Sequence, residues 1–381
     1  MNQMSWTDLL LLSFVIIVAT HMIKVGCWTV PVTNNRRVDR SSKSASLQHS
    51  ANDPTTNPRP IPPPRLVVLI PAYNEESRIR STLESYTAFL QKFHADLDPQ
   101  IWVVDDGSTD STIDVVTSFS KTGHEKLDNV DDKSNRSSRR AEKDRRIKIR
   151  CIPMEKNGGK GAALAKGVSV LAEEEEGDTT NVTVDRNVII LTQDADGSGD
   201  LKYLQSMLEK LTMVLERETQ VKNKKDDDDD DDDDGNNNVT SFWSHPAVVI
   251  GNRNYDFFTP RGVTRWGFQT TVKLIMNDLR VSDSQCGYKL MTLPAAKLMY
   301  NQLHLQGWSH DVEVLYKAKL YDIPIDEISI DWFDKDGSKL VETGVLRVSL
   351  KMLLDVLTLR INHSLTGKWT LTDDENKTKQ S

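Results

Sequence analysis

The chain is short of the residues that would tie it to several common function classes. Of its 381 residues only three are cysteines, Cys27, Cys151 and Cys286. Three widely spaced thiols form neither a disulfide framework nor a metal quartet, which fits a reducing compartment. An excess of positive charge is also missing. The formal net charge is −8, and removing the nine negative charges of the unbroken run Asp226 to Asp234 turns it into +1. A near-neutral body gives no electrostatic case for binding nucleic acid. The glycine-rich loop around Lys160 matches neither the P-loop nor the Gly-x-Gly-x-x-Gly spacing, so neither fingerprint applies. Long apolar runs are absent as well, except near the N-terminus.

That exception, Leu9 to Ile23, is uncharged and flanked by Trp6 and Trp28. With its borders it approaches the ~20 residues needed to span a bilayer, and the two aromatics suit its interfaces. A cleaved signal peptide wants a basic region before the run, whereas the only charge there is Asp8. A buried core helix would not lead into a long polar linker. The expectation is therefore a short lumenal N-terminus (1–8), a transmembrane anchor (9–29) and a polar, Pro-rich linker (30–64). Lys24, Arg36, Arg37, Arg40 and Lys43 follow the run and put everything downstream in the cytosol. A folded domain over 65–369 and a polar tail (370–381) complete the layout.

From Leu66 onward strand and helix patterns alternate. Leu66–Ala72, Ile101–Asp105, Ile147–Ile152, Val188–Thr192 and Val248–Gly251 read as strands. Glu76–His94, Asp110–Ser120, Lys160–Glu173 and Leu201–Leu215 read as helices. Such alternation predicts an α/β fold with a mostly parallel sheet. Two stretches interrupt it, about 122–146 and 221–240. Both are highly charged and lack aromatics, and read as disordered surface insertions. Thr264–Leu279 and Leu346–Ile361 are amphipathic, and either a membrane surface or the sheet could take their apolar faces.

The chemistry-bearing residues sit where strands end. Val188–Leu191 is an apolar run, and two residues beyond it come Asp194 and Asp196, one residue apart. Carboxylates so close favour a cation between them. Mg²⁺ takes one or two protein carboxylates and completes its shell with substrate phosphate. Pro71, near the end of the first strand, is expected to stop its ladder, Tyr73 and Glu75 follow that strand, and Asp105, Asp106 and Gly107 end the second. A ring with carboxylates suits a base and a ribose. Lys156-Asn-Gly-Gly-Lys-Gly161 opens a helix whose N-terminus favours phosphate.

Taken in order, these motifs resemble the inverting glycosyltransferases of family 2, and among them the branch that glucosylates dolichyl phosphate. The similarity runs from about Leu66 to Trp369, omitting the insertions. It is marked by Asp283-Ser-Gln-Cys-Gly-Tyr-Lys-Leu290, Trp308-Ser-His-Asp-Val-Glu-Val-Leu315 and Asp336-Gly-Ser-Lys-Leu340. The resemblance implies the GT-A (Rossmann-like) nucleotide-sugar fold, UDP-glucose as donor, dolichyl phosphate as acceptor and Mg²⁺ or Mn²⁺ as cofactor. Pro71, Tyr73, Glu75, Asp105 and Asp106 would hold UDP, with Lys160, Lys289, Ser338 and Lys339 near the donor and its phosphates. Asp194 and Asp196 would hold the metal. Arg253, joined by Arg265, would meet the acceptor phosphate, and Asp283 would orient substrate hydroxyls. The resemblance also implies a single-pass protein of the endoplasmic reticulum membrane serving protein N-glycosylation. Two other readings stand beside it: another donor such as GDP-mannose, or a nucleotide-binding scaffold without transfer activity.

Overall fold

The computed structural model describes residues 63–122, 147–177, 187–226, 242–254, 260–276, 279–332, 345–365 and 369. Seven strands form one sheet: β1 Arg65–Ala72, β2 Gln100–Asp105, β3 Lys148–Pro153, β4 Val188–Thr192, β5 Val248–Asn254, β6 Lys289–Thr292 and β7 Ile325–Asp331. Their order is β3-β2-β1-β4-β6-β5-β7. The helices are α1 Ile79–Phe93, α2 Thr112–Thr122, α3 Lys160–Gly177, α4 Leu204–Asp226, α5 Pro260–Met276, α6 Leu293–Tyr300, α7 His310–Leu320 and α8 Val345–Arg360. The mostly parallel sheet of an α/β fold is therefore present.

Leu66–Ile70 in β1 and all of β2 and β4 are buried, with no alternation between the two faces. A strand covered on both sides needs apolar residues at every position, which is why these runs are continuous. Pro71 does not stop the ladder as its position suggested: it pairs in register with Val104, and Ala72 pairs with Asp105. The reason is geometric. β4 pairs with β1 only as far as Leu69, whose carbonyl accepts from the Gln193 N–H. The missing N–H of Pro71 falls on that same side, where β4 has already ended, so no ladder bond is lost.

β6 is antiparallel to both neighbours, with Lys289 opposite Thr192 of β4 and Ile250 of β5. This reversal positions the site. The start of β6, and so the Asp283–Tyr288 loop before it, lies at the edge where β1, β2, β4 and β5 end. In open α/β sheets that edge is where ligands bind.

Several boundaries differ from the sequence reading. α4 continues through Asp226, into the stretch read as an insertion, because Glu216 to Lys225 is rich in strong helix formers. β6, β7, α6 and α7 were not anticipated. The two amphipathic segments are α5 and α8, which pack on each other. α5 buries Gln269, Val272, Ile275 and Met276, and α8 buries Met352, Leu353, Val356 and Leu359. Packing therefore takes one face of each, while Trp266, Leu274, Leu350 and Leu354 stay exposed. Among the described residues no helix is long and apolar enough to cross a membrane. The expected anchor at 9–29, the linker to residue 62, most of the two insertions and the tail lie outside the described residues.

Candidate active site at the sheet rim

The turns after β1 and β2 are zipped together. Asn74, at φ 53°, accepts from the Thr109 N–H at 2.8 Å, and its own N–H donates to Ser108 Oγ at 2.9 Å. The Glu75 N–H donates to Thr112 Oγ1 at 2.8 Å, and the Ser111 N–H to Glu76 Oε2 at 3.0 Å. Much of the polarity in these two motifs thus fastens one turn to the other. Tyr73 follows β1 directly. The Glu75 carboxylate is held by Arg78 through two bonds of 2.7 Å, and Arg78 also reaches Asp196 at 3.8 Å.

The adjacent Asp105 and Asp106 have separate jobs. Asp105 accepts from the Ser108 N–H at 2.9 Å through Oδ2, while Oδ1 is buried with no hydrogen-bond partner. Asp106 spends both oxygens on the glycine-rich loop, accepting from Gly158 at 2.7 Å and Gly159 at 2.8 Å. Burial pushes the Asp106 carboxyl above its ordinary range, and the two amides offset that only in part. Gly107 joins the arrangement at φ +69°, where a Cβ would lie 2.7 Å from the Asn157 nitrogen. Only glycine fits there, on grounds of both conformation and space.

Lys160, the first residue of α3, forms an ion pair of 2.5 Å with Asp194 Oδ1 just beyond β4. Burial disfavours its charge, but Asp194 and Asp311 outweigh that and hold its pKa raised. Asp196 accepts from the Ser198 N–H at 2.9 Å. The two carboxylates predicted to hold metal are therefore at the rim, each beside a cationic side chain. Gly287 closes the other side, where a Cβ would be 2.9 Å from Lys160 Nζ and 3.2 Å from Asp194 Oδ1.

From the reversed half of the sheet come Arg253, near the end of β5, and Asp283. They form a bidentate pair, Nε to Oδ2 at 2.6 Å and Nη2 to Oδ1 at 3.0 Å. Gln269 of α5 donates to Asp283 Oδ1 at 2.7 Å, and Arg253 lies 5.4 Å from the Trp332 ring centroid. Burial pushes Asp283 up, but Arg253 more than offsets it and the carboxyl stays below its ordinary range. Asp283 also raises the pKa of Arg253 against burial. These bonds use Nε and Nη2 of Arg253 and leave Nη1 for a ligand. The Arg265 charge acts on Asp283 from α5.

Lys289 is beneath this surface. It is buried, pairs with Asp311 and donates to the Cys286 carbonyl at 2.5 Å. Asp311 in turn is held well below its ordinary range, burial being outweighed by His310, Lys289 and Lys160. Lys289 therefore belongs to a buried charge layer under Lys160 and Asp194. Ser338 and Lys339 lie outside the described residues. Sequence reasoning gave no role to Arg78, Gln269 or Asp311: Arg78 reaches Asp196, Gln269 holds Asp283, and Asp311, although inside the Trp308–Leu315 motif, pairs with Lys289, and only the fold brings these partners together.

The pattern described as Glycosyl transferase family 2 matches residues 67–128, which hold β1, β2 and the turns after them. The chain is 27% identical over 329 residues to a dolichyl-phosphate beta-glucosyltransferase of Dictyostelium discoideum, covering 85% of this chain and 82% of that one. It is 29% identical over 325 residues to the Homo sapiens protein of that name, covering 81% and 79%. The Saccharomyces cerevisiae protein is 28% identical, covering 79% and 75%. Among solved structures, Mycobacterium tuberculosis glucosyl-3-phosphoglycerate synthase aligns over 77% of this chain and 81% of that one, at 16% identity and a TM-score of 0.43. Over most of its length the chain is related to the dolichyl-phosphate β-glucosyltransferases, and its first two strands carry the glycosyl transferase family 2 pattern.

Proposed function

We propose that the protein is an inverting glycosyltransferase that moves glucose from UDP-glucose to dolichyl phosphate, giving dolichyl β-D-glucosyl phosphate. The observation that carries this reading is the meeting of two charge systems at one rim. Asp194 and Asp196 with Lys160 suit a diphosphate leaving group, and the Arg253–Asp283 pair suits an anionic acceptor. The named relatives share most of the chain that builds both.

The residues divide the work. Asp105 Oδ1 is a buried acceptor awaiting a donor, and an N–H of the uracil ring supplies one. Lys160 neutralises phosphate charge from the N-terminus of α3. Arg253, locked by Asp283 and Trp332, offers Nη1 to the acceptor phosphate in a fixed direction. A phosphate oxygen of the lipid then attacks the anomeric carbon. The bond from that carbon to the UDP oxygen breaks, its electron pair leaves with UDP, and α becomes β. The nucleophile is already an anion, so no general base is needed, and positioning carries much of the rate. Asp283 stays ionised and orients Arg253.

Asp194 and Asp196 are hard oxygen donors one residue apart, and each already attracts a cationic side chain, so they fit Mg²⁺ or Mn²⁺. Such an ion supplies charge neutralisation on the departing diphosphate. The acceptor is a membrane lipid. The exposed Trp266 and Leu274 of α5 and Leu350 and Leu354 of α8, with the exposed Lys273 and Lys351 among them, suit the surface of the endoplasmic reticulum bilayer. The domain works on its cytosolic side.

The decisive assay incubates membranes with dolichyl phosphate and labelled UDP-glucose, UDP-galactose or GDP-mannose. A metal-dependent glucolipid is expected. Lipid labelling from GDP-mannose alone would sink the UDP-glucose reading. Asp196→Ala should cut turnover at least about 100-fold with the fold intact, as loss of a group stabilising developing charge does.

A further inference from the structure

A second cluster of chemistry-bearing groups is built by the loop before α7, by α7 itself and by the turn after α8. Glu313 of α7 is fully buried and accepts from the His304 N–H at 3.0 Å and the Leu305 N–H at 2.6 Å. Its Oε1 also meets His304 Nδ1 at 2.9 Å. The π-helical turn Ile361–Leu365 after α8 carries His363 to the same place. The ligand atoms of His304, Glu313 and His363 all lie within 4.8 Å of one another.

A His304–Glu313 hydrogen bond by itself accounts for two of the three groups. It leaves His363 Nε2 buried with no hydrogen-bond partner. An orphaned nitrogen of this kind costs stability unless something satisfies it. Burial holds the His363 pKa down at about 4, so its imidazole is neutral near pH 7 and presents a lone pair. Aromatic rings wall the cluster. Trp369 stacks on His304 at 4.0 Å and 12°, and Tyr316 meets His363 edge-on at 5.2 Å. The His304 side chain is 31% exposed, which opens one side to water.

We propose that His304, Glu313 and His363 form a second metal site, for a borderline divalent ion such as Zn²⁺. Two imidazole nitrogens and one carboxylate oxygen are a zinc donor set, and water completes the tetrahedron. Zinc bonds of about 2.0–2.1 Å set donor atoms roughly 3.3 Å apart, so atoms that now lie within 4.8 Å of one another need to close by at most about 1.5 Å. Magnesium, which prefers oxygen, is poorly served by the same groups. The site is separate in residues and donor chemistry from Asp194 and Asp196.

Its role follows from what it joins. Gln306, two residues from His304, accepts the Gly161 N–H at 2.8 Å through its carbonyl. The metal would tie the turn after α8 to the segment before α7 on which the Lys160 loop rests. It is a latch under the diphosphate site.

The test uses the full chain in detergent with excess Mg²⁺, so that the Asp194–Asp196 site is filled. Zinc is added, free metal is removed by desalting, and bound zinc is measured by mass spectrometry. One equivalent is expected in the parent protein and in Asp196→Ala. His363→Ala and His304→Ala should weaken zinc about tenfold or more. If either variant fails to fold, Co²⁺ bound to the parent protein decides, and it should show the intense visible bands of a tetrahedral site. The proposal is overturned if the parent retains no zinc, if its Co²⁺ spectrum is octahedral, or if zinc is lost from Asp196→Ala but kept in His363→Ala.

Discussion

At the scale of single residues, neighbouring carboxylates do different work, and the difference is set by what each accepts. Asp105 keeps one oxygen without a partner, whereas Asp106 has both oxygens committed to Gly158 and Gly159. Asp106→Asn retains one acceptor and turns the other into a donor facing an N–H. One amide loses its partner, but the burial cost of a charge disappears too, so the net loss should be about 1–2 kcal/mol. The loop that carries Lys160 loosens, and the KM for UDP-glucose should rise several-fold; chemical denaturation and steady-state kinetics measure the two effects. The buried Lys289–Asp311 pair is less forgiving. Asp311→Asn leaves an uncompensated buried ammonium and should cost about 3–5 kcal/mol, read from the denaturation midpoint. Acid acts on the same groups. Asp283, Asp311 and Glu313 are all held below their ordinary ranges. A depressed folded pKa gives stability that is present above the unfolded value, about 4, and is lost as pH falls through the folded value. The thermal midpoint should be nearly flat from pH 8 to 5 and fall steeply below about pH 4. Asp283→Asn should make that fall shallower.

At the scale of elements, what could be read in advance depended on whether a signal was local. β1, β2 and β4 are unbroken apolar runs ending in polar turns, and their rim residues were legible with them. β6 was not: it has four residues and begins with the buried Lys289, whose partner Asp311 comes from a different helix. α7 hid for a similar reason, since Asp311, Glu313 and Lys317 are buried by pairing and blur any apolar stripe. Without β6 the reversal of the sheet is invisible, so Asp283 could be placed at the rim only by resemblance. The amphipathic segments were ambiguous because they serve both ways. Leu353, Val356 and Leu359 face inward from α8, while Leu350, Leu354 and then Ile361 form a stripe left outside. That stripe should meet lipid. Leu354→Glu places a charge on it without touching the core, so the thermal midpoint should change little. Binding to vesicles of neutral and anionic phospholipid, followed by flotation of the domain without the apolar N-terminal run, should fall about tenfold, since losing an exposed leucine's burial is worth about 1.5–3 kcal/mol. Unchanged flotation would assign the stripe to something other than a bilayer.

At the scale of the whole molecule, the site, the exposed stripe and the apolar N-terminal run all bear on which side of a membrane the domain occupies. Lys24 and the arginines that follow the run argue for the cytosol. Five Asn-x-Ser/Thr sequons, at Asn135, Asn181, Asn238, Asn362 and Asn376, make this testable. Four lie outside the described residues. Asn362 follows α8, and its side-chain amide donates to the Thr358 carbonyl at 2.9 Å. In a lumenal domain the accessible sequons would carry glycans. In a cytosolic one all five stay bare, because the transfer machinery faces the lumen. The protein made in its own cells should therefore keep its mobility after endoglycosidase treatment. In sealed microsomes, added protease should digest the domain without detergent. A glycan at any of the five, or a domain protected until detergent is added, would reverse the orientation. It would then put the Asp194–Asp196 rim where the cytosolic pool of UDP-glucose cannot reach it.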